Sequence, residues 1–157
     1  AEITGYGATS DGHDMVAPSG EGGARAMRLA LGSLPESRRV DYINAHGTST
    51  PVGDIGEMES VRRVFGQGKT PPVSSTKSMT GHSQGAAGAL EAIYCLLMLE
   101  HDFICPSINV HTLDPSLHLD EIATKLVQNA GLDSVMTNSF GFGGTNGSMI
   151  LSKYHSS

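Results

Sequence analysis

Two histidines and one lysine stand in short polar loops that follow apolar runs. His46 comes after residues 40–45, and Lys77 and His82 come after residues 71–76. Both runs are typical of β-strands. A neutral imidazole donates a hydrogen bond to a developing oxyanion, and a protonated imidazole acts as a general acid. A single histidine is weak support for such chemistry, but two histidines near a lysine in loops of this kind favour a catalytic or binding site.

A carboxylate lies in the middle of the most apolar helix that the sequence predicts. This helix spans residues 84–100, is apolar on every side and carries Glu91 near its centre. It is shorter than the roughly 20 residues that cross a bilayer, so we interpret it as a buried core helix. Burying a bare carboxylate costs several kcal/mol. We therefore expect Lys77 to pair with Glu91; the alternative is that Glu91 faces solvent.

Three other kinds of site fit the sequence poorly. A zinc site needs a third His, Cys or Asp at suitable spacing from His46 and His82, and the sequence offers none, so we predict neither a metal nor a cofactor. The glycine-rich loop 141–144 enters no helix and lacks the GK[ST] signature of a phosphate loop, so we expect its backbone N–H groups to line a site instead. Residues 83–85 do not form the G-x-S-x-G turn of serine hydrolases.

Composition narrows the class of protein further. The 157 residues fit one domain with a real core, and 16 acidic against 10 basic residues give a net charge of −6. No Lys/Arg block occurs, so nucleic acid and membranes are not expected partners. Arg62, Arg63 and Lys69 form only a loose group, interpreted as a solvated helix end. Cys95 and Cys105 lack CxxC spacing, which favours a reducing, cytoplasmic setting.

The predicted elements alternate in the order β-α-β-α-β-α-β-β. Strands are expected at residues 1–10, 40–45, 71–76, 135–139 and 148–152. Helices are expected from residue 21 to before Pro35, from a cap at Asp54 to residue 65, and at 84–100. Residues 11–23 read as a surface loop. The alternation predicts an α/β fold with a five-stranded mixed sheet, mostly parallel, with one antiparallel strand at an edge. Sites in such sheets lie at the carboxyl ends of strands.

Together these loops resemble the β-ketoacyl-acyl-carrier-protein synthases, the condensing enzymes of the thiolase superfamily. The motifs agree in order and spacing over almost the whole chain: NAHGTSTPVGD at residues 44–54, STKSMTGH at 75–82 and NSFGFGGTN at 138–146. Residues 6–12 and 15–22 resemble the bacterial type I enzymes more than type II. The resemblance implies that residues 1–157 form the C-terminal half of a thiolase-like fold.

The resemblance also implies an activity. In this family a cysteine holds an acyl chain as a thioester, malonyl-acyl carrier protein loses CO2, and the resulting carbanion attacks the thioester to lengthen the chain in fatty acid synthesis. His46 and His82 match the two histidines that stabilise the enolate. Lys77 matches the lysine whose charge orders the network, through Glu91.

Further positions match residues that support the site or bind substrate in the family. Glu57 and Asn44 match polar positions behind the histidines. Thr48 and Thr50 match threonines that hydrogen-bond the phosphopantetheine arm of the carrier protein. The resemblance places three residues on a mobile gating loop: Phe140, Phe142 and Gly143.

One feature of the family is missing from this sequence. The nucleophilic cysteine of the family lies in an N-terminal half, and neither Cys95 nor Cys105 stands in its motif. The chain also opens without a signal peptide or an initiating methionine, so we expect a processed piece or an excised domain that is inactive alone. The expected partners are the missing half, acyl- and malonyl-loaded carrier protein and a second copy in a homodimer. A thiolase or polyketide ketosynthase relative and a non-catalytic partner like a chain-length factor remain open alternatives.

Overall fold

A five-stranded β-sheet carries the helices and loops of the chain. The computed structural model describes residues 1–12 and 19–155. The strands lie in the order β1 (Glu2–Ser10), β7 (Thr145–Ser152), β6 (Ser134–Phe140), β2 (Tyr42–Asn44) and β3 (Val73–Ser74). A separate two-stranded sheet pairs β4 (Phe103–Ile104) with β5 (Val127–Gln128). The helices are α1 (Glu21–Ser33), α2 (Pro51–Phe65), α3 (Lys77–Thr80) and α4 (Ala87–His101).

The α/β fold with a five-stranded mixed sheet is confirmed, but the predicted edge position of the antiparallel strand is wrong. β2 pairs in parallel with β3 and β6, whereas β7 runs antiparallel to β6 and to β1. The first strand occupies the free side of the β6–β7 hairpin, with Glu2 opposite Ser152 and Ser10 opposite Thr145. β7 therefore lies inside the sheet, and β1 forms the edge.

Two glycines let α1 lie directly on β1. A Cβ atom at Gly5 would come within 2.3 Å of the Ala30 carbonyl oxygen, and one at Gly7 within 2.0 Å of the Ala26 carbonyl oxygen. Only residues without a side chain fit this approach of backbone to backbone. The helix begins at Glu21, as predicted, so the predicted loop 11–23 is three residues too long. Residues 13–18 of that loop lie outside the described residues.

α2 begins earlier than the sequence predicts. It starts at Pro51 with Thr50 at the N-cap position, whereas Asp54 was the predicted cap. Proline suits the first helical position because its missing N–H has no partner to lose there. Asp54 lies in the first turn, and its Oδ1 accepts hydrogen bonds from the N–H groups of Ser49 (3.1 Å) and Thr50 (3.4 Å). The carboxylate thus fixes the turn between the His46 loop and the helix.

The predicted helix 84–100 forms, but it is not buried on every side. A short 3-10 helix, Gln84–Ala86, leads into α4, whose inner face contacts β6. In the described chain the opposite face of α4 is open and carries three large apolar side chains that are 38–50 % exposed: Ile93, Leu96 and Leu97. Within residues 1–12 and 19–155, no helix is long and apolar enough to cross a membrane.

Residues 107–123 form a strap that runs past β3 at the edge of the sheet. Val73 donates its N–H to the Glu121 carbonyl oxygen at 2.8 Å. Arg62 on α2 holds the strap with two bonds to the Glu121 carboxylate, at 3.0 and 2.5 Å, and one to the Ser116 carbonyl oxygen at 2.9 Å. The interpretation of Arg62 as part of a solvated helix end is therefore wrong, because its guanidinium pairs with the buried carboxylate of Glu121, which is distant in sequence.

Candidate active site

The two predicted histidines lie next to each other at the carboxyl end of the sheet. His46 follows β2 and His82 follows α3. Their ring centroids are 5.4 Å apart and the rings are nearly perpendicular, at 86°. The Phe140 ring, at the end of β6, lies 6.2 Å from the His46 ring. Loops that are far apart in sequence thus bring both imidazoles to one place, as expected for the strand ends of an α/β sheet.

Glu57 on α2 fixes the His46 loop from behind. Its Oε1 accepts the N–H of His46 and its Oε2 the N–H of Gly47, both at 2.9 Å. Asn138 also donates to Oε1, at 3.3 Å, and accepts the Ser148 hydroxyl at 2.8 Å. Burial raises the pKa of Glu57, and the three donors oppose this shift. The carboxylate sets the direction of the loop backbone and leaves the imidazole available.

One of the polar contacts behind the histidines joins β2 to the start of the Lys77 loop. Asn44 donates from Nδ2 to the Thr76 hydroxyl at 3.2 Å, which ties β2 to the residue before Lys77. Sequence reasoning placed Asn44 in this region but assigned no role to Asn138. The signal was available, because Asn138 lies in a strand whose first five residues are all buried, and a buried amide requires partners.

Lys77 and Glu91 form the ion pair that the apolar helix predicted. Lys77 begins α3, and its ammonium donates to Oε1 of Glu91. Both residues are buried, with exposures of 8 % and 2 %, so the alternative of a solvent-facing Glu91 is excluded. Burial raises the pKa of Glu91, while the Lys77 ammonium lowers it. The pair holds a positive charge that acts on His46 without being exposed to water.

The surroundings of His46 favour its neutral form. Its pKa falls from 6.5 to about 4, because of burial first, then of the Lys77 charge and then of His82. Within the described part of the chain, its buried Nδ1 has no hydrogen-bond partner. The Nδ1 of His82 accepts the Gln84 N–H at 3.2 Å, so a neutral His82 carries its proton on Nε2. Such imidazoles can donate to an oxygen that gains negative charge.

Of the residues predicted to contact substrate, Phe140 ends β6 and the other four lie in the loops and turns that follow β2 and β6. The hydroxyl oxygens of Thr48 and Thr50 are 3.4 Å apart. Phe142 lies in the turn between β6 and β7 and is 78 % exposed, whereas Phe140 packs near His46. Gly143 adopts φ 74°, a left-handed conformation that favours glycine. Phe140 thus lies next to His46, whereas the Phe142 side chain is open to solvent.

Among the described residues, four further histidines are exposed: His101, His111, His118 and His155. His13 lies outside the described residues. Among residues 1–12 and 19–155, no three His, Cys, Asp or Glu side chains are placed to hold a metal ion.

Residues 1–111 match the family described as "Beta-ketoacyl synthase, C-terminal domain". The chain therefore belongs to the β-ketoacyl synthase family, and its fold is that of the C-terminal half of a thiolase-like fold. It is 61 % identical over 155 residues to 3-oxoacyl-[acyl-carrier-protein] synthase 1 of Haemophilus influenzae and 57 % identical over 153 residues to the protein of the same name from Escherichia coli. The matches cover 99 % and 98 % of the chain but 37 % of each relative, so the chain spans little more than a third of their length.

Solved structures agree with this assignment. An ishigamide ketosynthase/chain length factor matches with a TM-score of 0.91 and 40 % identity, covering 99 % of this chain and 38 % of that one. A β-ketoacyl synthase from Burkholderia phymatum matches with a TM-score of 0.89 and 40 % identity, with the same coverage of 99 % and 38 %. The predicted resemblance to type I condensing enzymes is confirmed by the relatives named synthase 1.

Proposed function

We propose that this chain supplies the His46, His82 and Lys77 part of an active site for decarboxylative condensation, which elongates acyl chains with malonyl-acyl carrier protein in type II fatty acid synthesis. The observation that carries the proposal is the perpendicular histidine pair at 5.4 Å, in which burial and the Lys77 charge keep His46 neutral. The names of the synthase 1 relatives support the same reaction.

Two imidazole N–H donors suit the decarboxylation step. The bond between Cα and the carboxylate of the malonyl thioester breaks, CO2 leaves, and the electron pair becomes an enolate whose charge develops on the thioester oxygen. N–H groups of His46 and His82 donate to that oxygen, and such donors typically contribute a few kcal/mol each to transition-state stability. The enolate carbon then bonds to the acyl carbonyl carbon, and the cysteine sulfur leaves as a thiolate. No proton from a protonated histidine is needed.

The surrounding network positions the donors. Glu57 holds the His46 loop through two backbone N–H groups, so the ring cannot swing with its loop. Glu91 holds Lys77 in place, and the charge of the Lys77 ammonium opposes protonation of His46. Asn44 anchors the strand end before His46. Preorganised groups of this kind cost little reorganisation when charge develops.

Substrate would approach from the exposed loops. In this proposal the hydroxyls of Thr48 and Thr50 bind the phosphopantetheine arm, and Phe142, with Phe140 and Gly143, gates the entrance. One related structure, 32 % identical, is a type II polyketide acyl-carrier protein in complex with its ketosynthase, which supports a carrier protein as partner. Three glycines stand beside Phe142 in the turn: Gly141, Gly143 and Gly144. A glycine-rich loop absorbs the backbone changes that gating requires.

The nucleophile must come from elsewhere. Burial raises the pKa of Cys95 to about 12 and also raises the pKa of Cys105, so neither is a thiolate at neutral pH. We propose that residues 1–157 act as one domain beside an N-terminal half that carries the cysteine, within a cytoplasmic homodimer, and that this chain alone does not condense. Both cysteines are free, in keeping with a reducing compartment.

A polyketide ketosynthase is the second candidate, favoured by the 40 % identity to the ishigamide ketosynthase/chain length factor. The identity of 61 % to synthase 1 favours fatty acid synthesis more strongly. A non-catalytic partner is disfavoured because it would need neither histidine. Assays with saturated acyl-carrier and polyketide-type substrates separate the two enzymes, and replacing malonyl-carrier protein by malonyl-CoA tests the thiolase alternative.

The experiment uses a chimera in which this chain replaces the matching residues of the Haemophilus influenzae relative. We expect the chimera to release CO2 from malonyl-carrier protein, and His82→Ala to lower that rate about 100- to 1,000-fold, the usual loss of an oxyanion donor. His118→Ala, an exposed histidine outside the site, is the matched control. Full activity of the His82→Ala chimera would sink the proposal.

A further inference from the structure

A cavity of about 380 Å³ lies behind the His46 loop and shares only Thr50 with the residues proposed to bind substrate. Gly47 and Glu57 line it, but neither imidazole does, nor do Lys77 and Phe142. One wall is α2, the floor is the end of β3, and the roof is the strap, residues 107–123. The cavity therefore touches the back of the loop whose front carries His46.

The roof of the cavity is fastened at two places. Arg62 grips the Glu121 carboxylate with two bonds at one end of the strap. At the other end, Ser107 accepts the Ser75 N–H at 2.9 Å. The Ser75 hydroxyl in turn donates to the Gly47 carbonyl oxygen at 2.7 Å, which joins the strap to the His46 loop. These bonds make the cavity a fixed part of the fold.

The ionisable side chains of the lining are three carboxylates, Asp54, Glu57 and Asp114, and one histidine, His111. Its apolar surface comes from residues such as Met58 on α2, Val73 on β3 and Ile122 on the strap. Among the described lining residues there is no lysine or arginine. Hydrogen bonds from Ser116 lower the pKa of Asp114, so it is ionised at neutral pH. This lining repels phosphates and carboxylates and attracts cations.

We propose that the cavity is a binding site for a small amphiphilic cation, with an apolar body on the α2–β3 floor and an ammonium group near Asp54 and Asp114. The volume lies within the range of about 300–1,000 Å³ that is usual for small-molecule sites, and such sites combine an apolar lining with a few polar groups. Carrier-linked substrates, which bear a phosphate, do not fit this description. The site shares Thr50 with the entrance proposed for substrate but selects a ligand of the opposite charge.

Three probes of one ring size test the charge preference: benzylamine, benzyl alcohol and benzoate. Each is titrated into the isotope-labelled chain while backbone amide signals are followed by NMR. We expect benzylamine to saturate, with shifts clustered on Gly47, Ser75, Ser107 and Leu113, and benzoate to bind at least about tenfold more weakly. Asp114→Asn should weaken benzylamine about two- to fivefold, as for an exposed ion pair, and leave benzyl alcohol unchanged.

A matched pair of strap variants locates the site. Leu113→Trp fills the cavity and should abolish benzylamine binding, whereas Leu119→Trp, at a position 74 % exposed and outside the lining, should leave binding intact. Benzoate binding as tight as benzylamine, shifts centred on the open face of α4, unchanged binding by Leu113→Trp, or no saturation would each overturn the proposal. The chain itself is titrated, so the outcome does not depend on activity of the chimera.

Discussion

His46 should gain its proton near pH 4 rather than near the ordinary value of 6.5. Burial of the ring has the largest effect on its pKa, the Lys77 ammonium the next and His82 the third. All three disfavour the imidazolium ion. Lys77→Met removes the second cause and should therefore move the pKa of His46 upward, toward 6.5.

This shift makes stability depend on pH. Between pH 6.5 and about 4 the unfolded chain binds a proton at His46 that the folded chain does not, so the contribution is complete above 6.5 and is lost as the pH falls toward 4. The upper limit is about 3 kcal/mol. Because part of the ring remains open to water, we expect about 1–2 kcal/mol.

Two measurements check this expectation. The imidazole Cε1–H signal of His46, followed by NMR from pH 3.5 to 8, should show its midpoint near pH 4. Urea unfolding at pH 7.5 and pH 5 should show a loss of stability that His46→Gln reduces and that His118→Gln, an exposed control, retains. A His46 midpoint at pH 6 or above, or an unchanged pH dependence in His46→Gln, would refute the reasoning.

Other expectations concern single side chains. Lys77→Met leaves Glu91 buried without its cation and should lower the free energy of unfolding, measured in urea, by about 3–5 kcal/mol. Adding Glu91→Leu should restore most of the lost stability. Arg62→Met should cost about 1–3 kcal/mol at pH 7. Because Arg62 lowers the pKa of Glu121, this cost should shrink as the pH falls below 4.5, where that carboxyl is protonated in the unfolded chain. Phe142→Ala, at an exposed position, should leave the melting temperature unchanged but alter KM for carrier-linked substrate in the chimera.

Sequence reasoning worked best where burial forced a partner on a charged group. Glu91 lies in the middle of an apolar helix, so the cost of burying its charge required a cation nearby. In the structure that cation is Lys77. The histidine pair followed from the rule that sites lie at strand ends, with motifs that fix the loops. In both cases the types and positions of the residues were enough to predict the contact, and the structure contains it.

Contacts between distant segments were beyond the reach of periodicity. The sequence around Arg62 does not indicate that this side chain pairs with the buried carboxylate of Glu121, because Glu121 lies on a segment without a clear pattern. The hairpin of β6 and β7 predicted an antiparallel strand, but its place inside the sheet depends on β1, which lies at the other end of the sequence. The open face of α4 likewise escaped prediction, because an apolar helix gives no sign of which side lacks a neighbour.

The pairing of β1 with β7 has a consequence for the order of folding. Glu2 pairs with Ser152, which is synthesised much later. At ribosomal rates β1 therefore lacks its partner strand for on the order of ten seconds. α1 follows at once and packs on Gly5 and Gly7, so this strand–helix pair can form early and shelter one face of β1. Closing the sheet is then a late event of high contact order, and it should limit the folding rate of the chain.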